Sequence, residues 1–201
     1  MSIIDYNKTF FLKSVSKISK INIEYGIEVA FIGYSNSGKS SAINALTNQK
    51  KLARCSKTPG STQLINFFQV INNFRIVDLP GYGYAKCPIL IKLKWEKLIY
   101  NYLKNRKFLK GLVLLMDIRN PLKVYDQNII NIILDQNIPV FILLTKCDKL
   151  TLSQQKIQFQ TVYKRLQVLL KEFQIEFFSS SKKIGIRKLQ FQLNSWYKKY
   201  Q

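Results

Sequence analysis

Residues 33–40 read Gly33-Tyr34-Ser35-Asn36-Ser37-Gly38-Lys39-Ser40 and fit the pattern G-x-x-x-x-G-K-S/T. They follow an apolar run at 28–33 (EVAFIG) and precede a helical stretch at 39–47. Strand, glycine-rich turn and helix in that order build a phosphate cradle. The glycines let the backbone wrap closely, N–H groups point inward, and the helix N-terminus adds its dipole. All eight residues then lie along the phosphates. Lys39 is expected between β- and γ-phosphates, and the Ser40 hydroxyl on Mg²⁺.

The rest of the chain repeats that alternation. Apolar runs at 64–71, 74–78, 111–117, 140–145 and 175–178 read as strands, the first two joined by Asn72-Asn73. Ile91, Trp95, Leu98 and Tyr102 recur at helical spacing opposite Lys92, Lys94, Lys97 and Lys104. Ile129, Ile130 and Ile133 mark a second helix, and Ile186, Leu189, Leu193 and Trp196 a last one. Thr151 with Gln154 three residues on predicts a capping box opening a helix towards Lys171. Continuous apolar strands separated by helices predict an α/β fold, a mostly parallel sheet covered on both faces. The 201 residues suit one domain. Residues 1–22, with Lys8, Lys13, Lys17 and Lys20, read as an N-terminal extension or an outer strand, and 23–201 as the domain proper.

Three further segments fall where such a sheet ends. Asp78-Leu79-Pro80-Gly81 closes the 74–78 strand, so the Asp78 carboxylate can reach Mg²⁺ through water and the Gly81 N–H a γ-phosphate. Thr145-Lys146-Cys147-Asp148 closes the 140–145 strand. The Asp148 carboxylate suits guanine N1–H and its 2-amino group. Adenine offers neither donor, and an unpaired charged acceptor is a strong basis for rejection. The Lys146 stem can pack over the base plane. Between these lies Thr58-Pro59-Gly60-Ser61-Thr62-Gln63, where a Thr can close on Mg²⁺ only while a γ-phosphate is present. Lys39, Gly81 and one of Thr58 and Thr62 are thus the groups expected at the γ-phosphate, where the bond breaks. Phe178-Ser179-Ser180 offers backbone donors to the base edge.

Composition deletes other chemistries. With no histidine, His-based catalysis, His metal ligation and Ser-His-Asp triads are excluded. Cys55, Cys87 and Cys147 are odd in number and scattered, as reduced cytosolic thiols are. No apolar run approaches the ~20 residues that span a bilayer, and the N-terminus lacks a signal pattern. The net charge of +21 attracts polyanions, nucleic acid first. Only six of the 32 basic residues are Arg, and Ile, Asn, Phe and Tyr abound. Drift of a genome towards A and T enriches the same types, so both readings of the charge stand.

The ordered set GYSNSGKSS, SKTPGSTQLINFF, DLPGYGYAK, LLMDIRNPL, LLTKCDK and FSSSKKIG resembles the EngB (YihA/YsxC) family of bacterial GTPases, over essentially the whole chain. The resemblance implies a Ras-like G domain of the P-loop NTPase class. Its six-stranded, mostly parallel sheet has an antiparallel second strand and helices on both faces. It implies GTP/GDP and Mg²⁺ as ligands. It also implies a cytoplasmic monomer acting on the large ribosomal subunit or its precursors, linked to division and septation, with no membrane or DNA partner. By motif match, nucleotide contacts carry over to Gly33, Tyr34, Ser35, Asn36, Ser37, Gly38, Lys39 and Ser40. They extend to Gly60, Ser61, Thr62, Gln63 and Leu64, and to Asp78, Leu79, Pro80 and Gly81. On the base side they fall on Thr145, Lys146, Cys147, Asp148, Phe178, Ser179 and Ser180. Mg²⁺ ligation carries over to Ser40 and Thr62, so the resemblance implies Thr62, of the two threonines, at the γ-phosphate. Tyr34 stands where relatives often carry Arg, and Ser181 where they often carry Leu.

Tyr82 occupies the position after D-x-x-G, where many GTPases keep a water-orienting Gln. An aromatic ring does not orient water that way, and no Arg sits evidently in cis. Slow intrinsic hydrolysis that a partner completes is therefore expected. Asn36 either helps hold K⁺ beside the phosphates or makes a local hydrogen bond to the loop backbone. Arg119 and Lys86 are candidates for partner contact or local ion pairing, and Asp117 reads as structural. A small-molecule kinase is disfavoured by Asp148 and the lack of an Arg-rich lid. A tRNA-modification or transport GTPase needs further domains for which 201 residues leave no room.

Overall fold

Strand β2 (Ile27–Gly33) is buried at every position, and a strand with no solvent face needs cover on both sides of its sheet. The computed structural model describes residues 4–54, 64–83, 88–134, 136–170 and 172–201 and supplies that cover. The other strands are β1 (Phe10–Val15), β3 (Ile65–Ile71), β4 (Phe74–Asp78), β5 (Leu109–Asp117), β6 (Val140–Thr145) and β7 (Phe173–Phe177). The helices are α1 (Lys39–Leu46), α2 (Ile89–Asn105), α3 (Val124–Leu134), α4 (Leu152–Leu169) and α5 (Ile186–Tyr200).

The strands form one sheet in the order β1-β3-β4-β2-β5-β6-β7. Strand β2 runs parallel to β4 and β5, and β6 parallel to β5 and β7. Strand β3 is antiparallel to both β4 and β1. The fold class expected from sequence is present, with seven strands where six were expected. The added strand is β1, whose Phe10 pairs with Gln69 and Val15 with Ile65. Of the two readings of residues 1–22, extension or outer strand, the structure shows the outer strand, although Phe10, Phe11 and Leu12 are consecutive, exposed and apolar and no period of two marks it.

Alternate residues of each central strand point to opposite faces, and two cores result. On one face Ala30 and Ile32, Leu112 and Leu114, and Ile142 and Leu144 pack with Ile99 and Tyr102 of α2, Ile130 and Ile133 of α3, and Val162 and Leu166 of α4. On the other, Val29 and Phe31, Val113 and Leu115, and Phe141 and Leu143 pack with Ala42, Ile43 and Leu46 of α1 and Leu189, Leu193 and Trp196 of α5. Each such burial stabilises by roughly 1.5–3 kcal/mol before entropy is counted. Helix α2 is rotated from the expected face: Trp95, Ile99, Tyr102 and Leu103 are buried, while Ile91 and Leu98 are only half-buried. Helix α4 opens on the expected capping box, with Gln154 N donating to Thr151 Oγ1 at 3.3 Å and Thr151 N to Gln154 Oε1 at 3.0 Å.

A charge cluster closes the end of the sheet away from the glycine-rich turn. Glu28 on β2 is fully buried. It accepts from Arg106 Nε at 2.8 Å and Tyr102 Oη at 2.7 Å, and Arg75 Nε lies 3.7 Å away. Arg106 Nη2 also donates to the Ile23 carbonyl at 2.8 Å. The cluster fixes β2 and β4 against α2 from below, which leaves their opposite ends to carry chemistry.

Candidate nucleotide site

The strand tips of β2, β4, β6 and β7 gather at one edge of the sheet, where open α/β sheets place their ligand sites. From β2 the chain enters the 33–40 loop. Gly38 takes φ +92° as it caps α1, a left-handed conformation that side chains other than Gly rarely adopt. Lys39 and Ser40 open the helix, with Ala42 N bonded to the Gly38 carbonyl at 2.8 Å. The Lys39 ammonium lies on the Asp78 carboxylate at the tip of β4. The loop, its Lys and the D-x-x-G acid are therefore one cluster. Asn36 has φ 64° and is exposed, and among the described residues its side chain has no hydrogen-bond partner. The local backbone bond considered for it is not made.

The base-side motifs converge on the same loop. The Thr145 hydroxyl donates to the Ser37 carbonyl at 2.6 Å, with the Met116 carbonyl 3.1 Å away. Lys146, at φ 58°, turns its ammonium onto the Asn36 carbonyl at 2.7 Å and onto Asp117 Oδ2 at 2.9 Å. Cys147 N donates to the Phe178 carbonyl at 3.2 Å, and Phe178 N to the Leu144 carbonyl at 2.9 Å. Asp148 is then positioned by Ser179, whose hydroxyl donates to Oδ1 at 2.5 Å, and by Lys149 Nζ, 3.3 Å from Oδ2. The Ser179 hydrogen bond is the main reason the Asp148 carboxyl sits below the usual carboxylate range, and Lys149 adds to it. An ionised acceptor at 148 is what guanine recognition requires.

Two residues that sequence reasoning undervalued belong here. Arg119 donates to both oxygens of Asp117, at 2.9 and 2.6 Å, so it is locally paired. Burial alone would raise the Asp117 carboxyl, but hydrogen bonds from Arg119 and Lys146 outweigh it and hold the group well below its ordinary value. Asp117 thereby fixes Lys146 over the loop. Ser179 was expected to act through its backbone; its hydroxyl instead orients Asp148. No local pattern announces either role, because both depend on neighbouring strand tips.

The third side of the site is aromatic. Tyr82 and Tyr34 form a parallel bridge, with Ser35 N on the Tyr82 carbonyl at 2.7 Å. The Tyr34 ring meets the Tyr82 ring edge-on at 5.7 Å and the Tyr125 ring at 6.2 Å. Gly83, at φ +75°, faces Tyr34 so closely that a Cβ would fall 1.9 Å from the ring. This packing accounts for the Tyr-Gly after D-x-x-G. The Tyr82 hydroxyl donates to buried Asp126 of α3 at 2.5 Å, and Lys123 N donates to the other oxygen at 2.9 Å. Burial raises the Asp126 carboxyl, and raises the Tyr82 phenol far more. Tyr82 is thus a strut, with its polar group committed to Asp126.

Pro80 and Gly81 are buried beside these residues, Leu79 lies in the core, and Leu64 is exposed before β3. Ser180 is half-buried and Ser181 exposed. Gly60, Ser61, Thr62 and Gln63, with Thr58, Pro59, Lys86, Cys55 and Cys87, lie outside the described residues; Cys147 is a buried free thiol. The donors at the Lys39 end are a Ser40 hydroxyl and an Asp78 carboxylate. Hard oxygen ligands of this kind fit Mg²⁺, which takes few protein groups when phosphates and water complete its octahedron. Among the described residues no helix is long and apolar enough to cross a membrane.

Known proteins share this arrangement. Residues 28–146 match the family model described as 50S ribosome-binding GTPase. The chain is 70% identical over 200 residues to a probable GTP-binding protein EngB of Buchnera aphidicola subsp. Schizaphis graminum, covering all of both chains. It is 51% identical over 193 residues to the Hamiltonella defensa protein of the same name, covering 96% of this chain and 94% of that one. Among solved structures, the crystal structure of a probable GTP-binding protein engB superposes with a TM-score of 0.70 at 23% identity, over 86% of this chain and 99% of that one. Aquifex aeolicus Era bound to GDP and AlF4⁻ gives 0.67 at 21% identity, over 86% of this chain and 57% of that one. At those identities the two structures speak for the fold.

Proposed function

The chain belongs to the EngB family of GTP-binding GTPases, and from that premise we propose that it is a GTP-operated switch acting in assembly of the large ribosomal subunit. The observation that carries the reading is the joining of 33–40, Asp78, 145–148 and Ser179 through named hydrogen bonds into one cradle. In this reading the 33–40 amides and Lys39 hold the phosphates, and Asp148 holds guanine under the Lys146 stem. Ser40, Asp78 through water, and Thr62 would hold Mg²⁺, which supplies charge neutralisation between the β- and γ-phosphates. By the family resemblance Gly60, Ser61, Gln63 and Leu64 would contact the nucleotide, and the Gly81 N–H would approach the γ-phosphate.

Hydrolysis by the protein alone is slow in this account, because Tyr82 is committed to Asp126 and leaves no water-orienting amide. Completion by a partner is worth ~10³–10⁵ in rate. Asn36, exposed and with its amide unengaged, would hold K⁺ beside the phosphates. Turnover is then expected to fall when K⁺ is exchanged for Na⁺ at matched ionic strength, and equal rates would remove K⁺ from the account.

The ribosomal assignment rests on the family description and on the +21 charge; a cytoplasmic location and the link to division and septation come with the family. Residues 1–22 add the outer strand β1 to the sheet and belong with 23–201 to one G domain, and the protein acts as a monomer. Co-sedimentation with large-subunit precursors tests the proposal. GTP-loaded protein is expected to pellet and GDP-loaded protein to stay in solution. Neutralising about six phosphates predicts a roughly thousandfold affinity loss between 50 and 200 mM salt. Binding indifferent to both nucleotide and salt would refute it.

A further inference from the structure

A second concavity opens between α2 and α3, beside Tyr82. Its volume is about 380 Å³, and Leu93, Ile99, Tyr100, Ile129, Ile132 and Tyr125 supply most of its wall. Leu93 is 54% and Tyr100 41% exposed, and Ile89 and Leu90, one turn earlier on α2, are 75% and 73% exposed. Apolar surface left open on this scale marks an interaction site. The rim is basic. Lys97 lines the opening, Lys94 is exposed beside it, Lys92 Nζ lies 4.8 Å from the Tyr125 ring centre, and Lys104 Nζ is 2.9 Å from Tyr100 Oη. Glu96 is the one acid at the wall, since Asp126 is buried and taken up by Tyr82 and Lys123.

We propose that this groove docks an apolar side chain from an acidic, amphipathic helical segment of a protein partner, and that docking acts on the 78–83 turn through Tyr82. The wall, part aliphatic and part aromatic, has few polar atoms with which to read a base edge, so a protein side chain fits it better than a nucleotide. The lysine rim selects acidic flanks, which steer encounter and orientation. The Tyr82 ring is part of the wall, while its backbone carbonyl holds Ser35 of the phosphate loop. An occupant wedged between α2 and α3 therefore bears on the residue that follows Asp78-Leu79-Pro80-Gly81. The coupling half of the inference rests on the switch reading above and names where its stimulating partner would act.

The probe is an 18-residue synthetic helix with Leu at three- and four-residue spacing and Glu on its other faces, titrated into the full-length GTP-loaded protein. Isoleucine methyl NMR reports Ile99, Ile129 and Ile132 against Ile43 and Ile27 on distant faces. Saturable shifts confined to the groove isoleucines Ile99, Ile129 and Ile132 are expected, with binding weakened at least ~10-fold by Leu93→Glu. Leu93 is exposed, so that variant keeps the native methyl spectrum and its GTP affinity. The peptide is also expected to change the single-turnover GTP hydrolysis rate of the wild type and leave Leu93→Glu unaffected. Equal binding by a peptide with Lys in place of Glu, or no effect of Leu93→Glu, would overturn the docking. The same methyl shifts from a uridine 12-mer would overturn it in favour of an RNA face. Binding without any change in hydrolysis would overturn the coupling. Guanine-nucleotide titrations run in parallel test the switch reading separately from docking, which the methyl shifts report without reference to nucleotide.

Discussion

At the scale of single residues, the site is governed by carboxylates whose partners decide what they can do. Asp148 is kept ionised by Ser179 on Oδ1, with Lys149 beside Oδ2. Asp117 stands in the LLMDIRNPL segment and reads as structural; it pairs with Lys146 at 2.9 Å and keeps that side chain over the Asn36 carbonyl. A lowered carboxyl keeps its charge as pH falls and loses it only below the usual carboxylate range. Nucleotide affinity is therefore expected to stay flat from about pH 8 to about pH 5. Asp117→Asn removes the ionic part of its bonds to Lys146 and Arg119. It is expected to weaken GDP and GTP alike by about 10-fold, the scale of one charge-assisted hydrogen bond, with the preference for guanine unchanged. Fluorescent-nucleotide titration reads both. A shift in base preference, with overall affinity unchanged, would mean that Lys146 is held by something else.

Among the elements, β2 has the heaviest duty, since it carries the phosphate loop at one end and buried Glu28 at the other. Glu28→Gln leaves the shape intact and removes the charge that Arg75 and Arg106 share. Breaking a buried ion pair from one side costs about 3–5 kcal/mol. Urea unfolding should show that loss, with the guanine site still competent in whatever remains folded; a loss under ~1 kcal/mol would show that water reaches the cluster. The strands that read most clearly in the sequence were β5 and β6, because a strand buried on both faces is a nearly unbroken apolar word bounded by turns. Strand β1 read only as one of two alternatives, since its stability comes from pairing with β3 and its side chains stay half in solvent. Helix α2 read as a helix with its face misjudged: Ile99 and Leu103 turn inward because the core and Glu28 draw Tyr102 in, and no periodicity contains that. The same limit applied to the site. Motif spacing located 33–40, Asp78, 145–148 and 178–180, whereas the Asp117–Lys146 pairing, the Ser179 hydroxyl on Asp148 and the Tyr82–Asp126 strut arise from neighbouring strand and helix ends.

For the molecule as a whole, segments 33–40, 78, 145–148 and 179 are joined at one end of the sheet by hydrogen bonds and an ion pair; in the proposed reading they hold a guanine nucleotide, and the excess of 21 positive charges draws the chain to polyanions. The charge serves encounter and the site serves timing, so nucleotide state and salt should both govern association. Everything depends on the carboxylate at 148 reading guanine while the distant loop holds its phosphates. Equilibrium titration of wild type and Asp148→Asn with GTP, XTP and ATP is the most direct test, since xanthine presents an oxygen where guanine carries its 2-amino group. The wild type should prefer GTP over ATP by at least ~10²-fold, and Asp148→Asn should lose GTP and gain XTP. Equal affinity of the wild type for ATP and GTP, or a variant whose preference does not move, would contradict the account.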